Sequence, residues 1–300
     1  MNLPHPLDEN HLAPGSIANN TRHTGFTALF YQKIRLASGR RWHGYLIGAG
    51  GACWLGLALA QSASAPELAP ASALAPFNQS GSLALHPAWH FVGLPNGKAK
   101  PPTHFEVVTL AGEAVLQIST DKSYGALVHT WQGAPPVQLA WQWRVEQPLA
   151  HADIATKAGD DAALKVCVLF DQPLSDIPLL QRASLAIARA STGQSLPSAT
   201  LCYVWDKHYP AGTSGANPFT ARVRYLVLDG LTTPLRQWSS QRRRVADDFQ
   251  HLFGHESPVT PPVIGVAVGA DSDNTQGQSL AYLRQLHWLP ERHTPPLTPP

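Results

Sequence analysis

Short apolar segments that keep returning between turn residues constrain this chain more than any other feature. They run Thr103–Val108, Ala114–Thr120, Ala126–Thr130, Leu139–Val145, Ala162–Phe170, Thr200–Trp205, Val223–Leu228, Val263–Gly269 and Leu280–Trp288, with Gly, Pro and Asn between them. Their shortness and β-branched content favour strands over helices. In LAWQWRV, Leu139, Trp141, Trp143 and Val145 share one face while Ala140, Gln142 and Arg144 share the other, the period of two of a half-buried strand. The tryptophans are therefore read as core. Many short strands with turn signals between them predict an all-β fold, an antiparallel β-sandwich or jelly roll.

Two stretches break the pattern. Asp176 to about Arg189 is helix-like in composition and reads as an insertion; Val245, Phe249, Leu252 and Phe253 recur at helical spacing before Gly254. The second helix is expected to pack its apolar stripe on the edge of the sandwich.

The ends of the chain read differently. Basic residues from Lys33 to Arg41 precede a mostly apolar run, Tyr45–Ala60, and then QSASA. That order describes a secretory signal peptide cleaved after Ala60. A retained membrane anchor is the second reading, but a spanning helix needs about 20 apolar residues, and this run is shorter and diluted by Gly48, Gly50, Gly51 and Gly56. Residues 61–84 read as an Ala/Pro/Ser-rich linker, 85–289 as one sandwich domain and 290–300 as a proline-rich tail. The formal charge of +2 is carried by the basic leader. The rest of the chain is close to neutral, which gives no electrostatic reason to propose nucleic-acid binding. Arg242, Arg243 and Arg244 precede Asp247 and Asp248 and read as a solvated basic turn. Membrane contact is expected only through the leader, before cleavage.

Beyond the leader only Cys167 and Cys202 remain, both inside predicted strands. An exported chain meets an oxidising compartment, so a disulfide is one reading; two small buried thiols filling core positions is the other.

Polar residues gather at the strand ends. Asp160 and Asp161 precede the segment Ala162–Phe170 and Asp171 ends it, and Asp206, Asn217, Asp271, Asp273 and Asn274 stand at comparable positions. Strand ends meet at the rims of a sandwich, so these groups could converge. Carboxylate and amide oxygens suit Ca²⁺, which takes about six to eight oxygen ligands, and Asp271, Asp273 and Asn274 in DSDNT form the candidate metal set. The bland reading is that each caps a turn. Paired aspartates such as Asp160 or Asp161 with Asp206 or Asp271 could serve as acid and base on a glycosidic bond. Lys165, Arg222 and Arg224 lie inside predicted strands, where a charge needs a partner; they either pair with acids or line an anion- or sugar-binding surface. Trp205, with Tyr209 and Phe219, is the candidate aromatic platform. No G-x-S-x-G, H-E-x-x-H or Cys/His zinc spacing is present.

Motifs in sequence order carry a resemblance: GDDAA at 159–163, VLFD at 168–171, YVWD at 203–206, NPFTARVR at 217–224, DDFQHLFG at 247–254, and DSDNT at 271–275 followed by AYLRQLHW. Over roughly residues 85–289 the chain resembles the exported bacterial family called domain of unknown function 3047. Lys165, where the family tends to carry arginine, and a long 173–198 insertion are the departures. The resemblance implies an exported or periplasmic, mostly β protein with no established activity. AYLRQLHW is also similar to the closing strand of galactose-binding-like sandwiches. The expected function is a non-catalytic module for a carbohydrate or similar polar ligand held by Asp160, Asp161, Lys165, Asp171, Trp205, Asp206, Asn217, Arg222 and Arg224. A glycan-active hydrolase or lyase and an envelope-assembly protein are the alternatives.

Overall fold

The computed structural model describes residues 73–93, 100–133, 138–192 and 195–289. The signal-peptide reading, residues 61–72 of the linker and the proline-rich tail lie outside the described residues. The strands are β1 (Trp89–Val92), β2 (His104–Leu110), β3 (Glu113–Asp121), β4 (Tyr124–Gly133), β5 (Gln138–Gln147), β6 (Ala162–Phe170), β7 (Ala199–Asp206), β8 (Ser214–Asn217), β9 (Thr220–Gly230), β10 (Ser239–Arg243), β11 (Val263–Asp271) and β12 (Gln278–Leu289). The helices are α1 (Leu179–Thr192), preceded by a 3-10 turn at Leu174–Asp176, and α2 (Val245–Phe253).

These strands form two sheets, a seven-stranded one ordered β1-β4-β11-β6-β7-β9-β8 and a five-stranded one ordered β10-β5-β12-β3-β2. The expected β-sandwich is the observed fold. Its pairing is antiparallel except between β7 and β9, which run parallel, with β8 returning along the outer side of β9.

Every residue of β6 is buried, because the strand is central in its sheet and both of its faces are covered. Leu164, Val166, Val168 and Phe170 face the five-stranded sheet with Trp141, Trp143 and Tyr203. Cys167 and Leu169 face outward into a second apolar layer with Ile154, Ile177, Leu185 and Leu196, supplied by the 148–161 loop and the α1 region. The five-stranded sheet is wet on its outer side: Gln142, Arg144 and Glu146 of β5 are half-buried while Trp141, Trp143 and Val145 are buried, the alternation expected of a one-sided antiparallel sheet.

α2 buries Val245, Phe249, Leu252 and Phe253 in the central core rather than only flanking it. The stretch 73–84, read as linker, also joins the core, through Leu74 and Phe77; Trp89 Nε1 donates to Ala75 O at 3.0 Å. The arginine run is not a turn. Arg242 and Arg243 belong to the edge strand β10, and Arg243 donates to Asp248 while Arg244 pairs with Asp247.

Candidate functional site

The site lies on the outer face of the seven-stranded sheet, where the 148–161 loop crosses β6, β7 and β9. That loop folds tightly on itself: the Asp153 N–H donates to Gly159 O at 2.7 Å. A Cβ at residue 159 would lie 2.7 Å from Asp153 N, so only glycine fits there. The turn sets Asp160 and Asp161 at the start of β6, both buried.

Asp271 ends β11, where the ladder to β6 slips register after Gly269. The Ala162 N–H at this irregularity donates to Asp271 Oδ1 at 2.8 Å. Lys165 stands opposite Gly269. A Cβ there would approach Lys165 Cε to 3.2 Å, so the bare glycine clears the path of the lysine stem. Lys165 Nζ reaches Asp271 Oδ2 at 2.7 Å, with side chains 4% and 1% exposed.

Asn217 Nδ2 donates to both carboxyl oxygens of Asp160, at 3.0 and 2.8 Å. Asp161 also lines the cavity but directs its oxygens at the β11–β12 turn, which it caps. It accepts the Asn274 N–H at 3.2 Å, and the Thr275 N–H and hydroxyl at 2.6 Å each. Asn274 Nδ2 donates to Asp160 O.

Asp160, Asp161, Lys165, Asn217 and Asp271 converge on one small cavity, closed by Ile154, Val204, Val223 and Tyr225. Its volume of about 20 Å³ matches the room needed by a single water. Burial is the largest influence on the acids. It lifts Asp160 to about 8, with the Asp271 charge adding and Lys165 and Asn217 opposing. It lifts Asp271 to about 7 in spite of the adjacent ammonium. Asp273 is also raised, by burial and the charge of Asp161.

On the far side of the Asp161–Thr275 contact lies an open groove of about 330 Å³, lined among others by Lys122, Gln147, His151, Thr275, Gln276 and Gln278. Tyr209 and Phe219 flank the loop, both half-buried. The Tyr209 hydroxyl donates to Asp153 Oδ1 at 2.7 Å, and Lys157 Nζ sits 5.5 Å from the centre of the Phe219 ring.

The other residues assigned to the site from sequence lie elsewhere. Asp171 is exposed at the opposite end of β6. Trp205 is 5% exposed and part of the inter-sheet core, so it offers no platform. Asp206 accepts the N–H groups of His208 and Tyr209 and closes the turn after β7; burial raises its pKa. Arg222 and Arg224 face inward near α2 and converge on Glu256. Arg222 also donates to Ser198 O, Gln181 and Gln172, and Arg224 to Leu252 O while lying 4.1 Å from the Phe253 ring centre. They are structural partners of a buried acid, not ligand groups of this pocket.

The residues of the candidate Ca²⁺ set meet protein partners. Asp271 meets an N–H and an ammonium, Asp273 pairs with Lys100 at 3.7 Å, and Asn274 turns its amide nitrogen to Asp160. Among the described residues no group of three or more His, Cys, Asp or Glu could hold a metal ion. The sequence reading missed Tyr225, Asp153, Thr275 and Glu256. Tyr225 follows the period of two from Val223, whereas Glu256 sits in a loop with no local signal.

The two cysteines settle into the disulfide reading: Cys167 and Cys202 are bonded, directly across β6 and β7, and Cys202 also lines the cavity.

A family model described as protein of unknown function, DUF3047, matches residues 87–287. The chain belongs to that family. The matched span holds both the whole acidic pocket and the Arg222–Glu256–Arg224 cluster of this DUF3047 chain. No curated protein matches the chain. Among solved structures, the xyloglucanase domain of NopAA, a type three effector from Sinorhizobium fredii in complex with cellobiose, is 11% identical with a TM-score of 0.35, covering 73% of this chain and 96% of that one. Endoglucanase 3 of family GH12 from Trichoderma harzianum is 11% identical with a TM-score of 0.30, covering 66% and 88%.

Proposed function

We propose that this DUF3047 protein is an exported, non-catalytic module that holds a carbohydrate or similar polar ligand beneath the 148–161 loop. The observation that carries the reading is the convergence of Asp160, Asp161, Lys165, Asn217 and Asp271 on one cavity. Convergent buried polar groups with an apolar wall are what a site for a small polar ligand requires.

Closed, the cavity takes no more than water, so a sugar residue enters only when the loop lifts. Three contacts hold the loop's polar side: Tyr209 to Asp153, Lys157 over Phe219, and Asn217 to Asp160. Lifting the loop frees the Tyr209 and Phe219 rings beside the carboxyl groups of the pocket, the pairing of aromatic face and polar group that suits a sugar. Export is supported by the signal-like leader and by a disulfide, which persists in oxidising compartments.

The test is a calorimetric and NMR titration of the full chain with a panel of neutral and acidic oligosaccharides. Saturable binding, weakened at least tenfold in both Asp160→Asn and Tyr209→Ala, supports the reading; no binding by any member at millimolar concentration ends it. Cleavage of an oligosaccharide in the same titration, lost in Asp160→Asn, would instead place the protein among glycan-active enzymes.

A further inference from the structure

Lys165 and Asp271 differ from the other ion pairs of the molecule in chemistry as well as burial. They stand on neighbouring antiparallel strands, β6 and β11, with Nζ 2.7 Å from Oδ2. The other deeply buried pairs use Arg222 and Arg224, whose guanidinium groups stay charged and are poor nucleophiles. A lysine amine becomes a nucleophile once it gives up its proton.

A proton acceptor is at hand in Asp271, 2.7 Å away. Two ions held out of water are costly unless fully compensated. Passing one proton from the ammonium to the carboxylate leaves a neutral amine against a neutral acid, which relieves the cost without moving either strand. Gly269 stands opposite the lysine, and Nζ lies 5.9 Å from the centre of the Tyr124 ring. Asp160 lines the same cavity and, lifted to about 8, still carries its proton at neutral pH. The cavity has space for one water.

We propose that Lys165 and Asp271 condense to an intramolecular isopeptide bond, with the Asp160 carboxyl relaying the proton. Lys165 Nζ attacks Asp271 Cγ, the N–C bond forms and one Cγ–O bond breaks. Asp160 gives its proton to the departing hydroxyl and recovers one from the nitrogen, so that one water leaves. No oxidant, reductant or co-reactant is consumed. The product is a covalent tie between β6 and β11 beside the Cys167–Cys202 tie between β6 and β7, and it leaves Asp161 and Asn217 as they are. It turns two of the pocket's polar groups, Lys165 and Asp271, into one amide, but it needs no ligand and is read without one, so its failure and that of the ligand reading are distinguishable.

Intact mass spectrometry of the denatured, disulfide-reduced full chain tests it. Wild type, compared with Lys165→Arg after allowing for the substitution itself, is expected to be lighter by the mass of one water. A tryptic digest is expected to contain a branched peptide joining residues 165 and 271. Asp271→Ala and Asp160→Ala are expected to keep the full mass, and the reading holds whether or not these variants fold. A wild-type chain with no water lost, or a loss that persists in Lys165→Arg or Asp160→Ala, overturns the proposal.

Discussion

Asp161 accepts both the backbone N–H and the hydroxyl of Thr275, at 2.6 Å each, across a sequence separation of 114 residues. This one carboxylate ties the entry of β6 to the turn between β11 and β12. Asp161→Ala would leave the amide donors of Asn274 and Thr275 without their acceptor. The expected loss is about 2–4 kcal/mol, since each orphaned buried donor costs about 1–3 kcal/mol. Urea unfolding checks it, and Asp161→Asn should recover part of the loss.

Glu256 is shared by two inward arginines, Arg222 pairing with one of its carboxyl oxygens and Arg224 with the other. Removing it strands two guanidinium groups that are 4% and 9% exposed. Glu256→Ala should therefore destabilise by about 3–5 kcal/mol, the cost of breaking a buried pair from one side. Equilibrium denaturation measures it. A cost below about 1 kcal/mol would mean that water reaches the cluster.

The Cys167–Cys202 bond closes a span of 35 residues that includes α1. Replacing both cysteines with alanine should cost about 2–4 kcal/mol, mostly through the freed unfolded chain. Calorimetry should show a melting temperature lower by about 5–15 °C.

Asp160 gives stability a pH dependence of definite sign. Its folded pKa, about 8, lies above the unfolded value of 3.8, so the folded state holds the proton more tightly. Its contribution is complete below the unfolded pKa and is lost as pH rises through the window from about 4 to 8. Asp160→Asn cannot ionise, so its stability relative to wild type should climb across that window, with a slope of at most about 1.4 kcal/mol per pH unit. Thermal melts of both proteins from pH 4 to 9 provide the comparison. Parallel curves would mean that Asp160 titrates normally.

Calcium should leave the melting temperature where a chelator leaves it. A cation site at one hundred times its dissociation constant would add about 2.7 kcal/mol, an effect easily resolved by scanning fluorimetry.

How much of this was legible beforehand follows from where each residue sits. β6 was readable from composition because a doubly covered central strand must be apolar throughout. β1, β8 and β10 were not: WHFV and SGAN are four residues each, and SSQRR is polar, as edge strands can be. Trp205 misled because β7 is apolar on both faces, so its alternation could not say which side meets the other sheet. The acids of the pocket were visible as residue types at strand ends. Their partners were not, since Asp160 with Asn217 and Asp161 with Thr275 are contacts of topology rather than of spacing. The α1 insertion was visible as a helix, whereas its start at Leu179 is set by the preceding 3-10 turn and Pro178.

The way each sheet stops bears on how the protein behaves when concentrated. The larger sheet ends on two strands of only four residues, β1 and β8. The smaller ends on β10, with Arg242 and Arg243, and on β2, which exposes His104 and Glu106. Short or charged margins give a second molecule little backbone to zip onto. The twelve strands of the described residues are thus kept from seeding fibrils by the least conspicuous of them, and that restraint matters most wherever the protein is crowded.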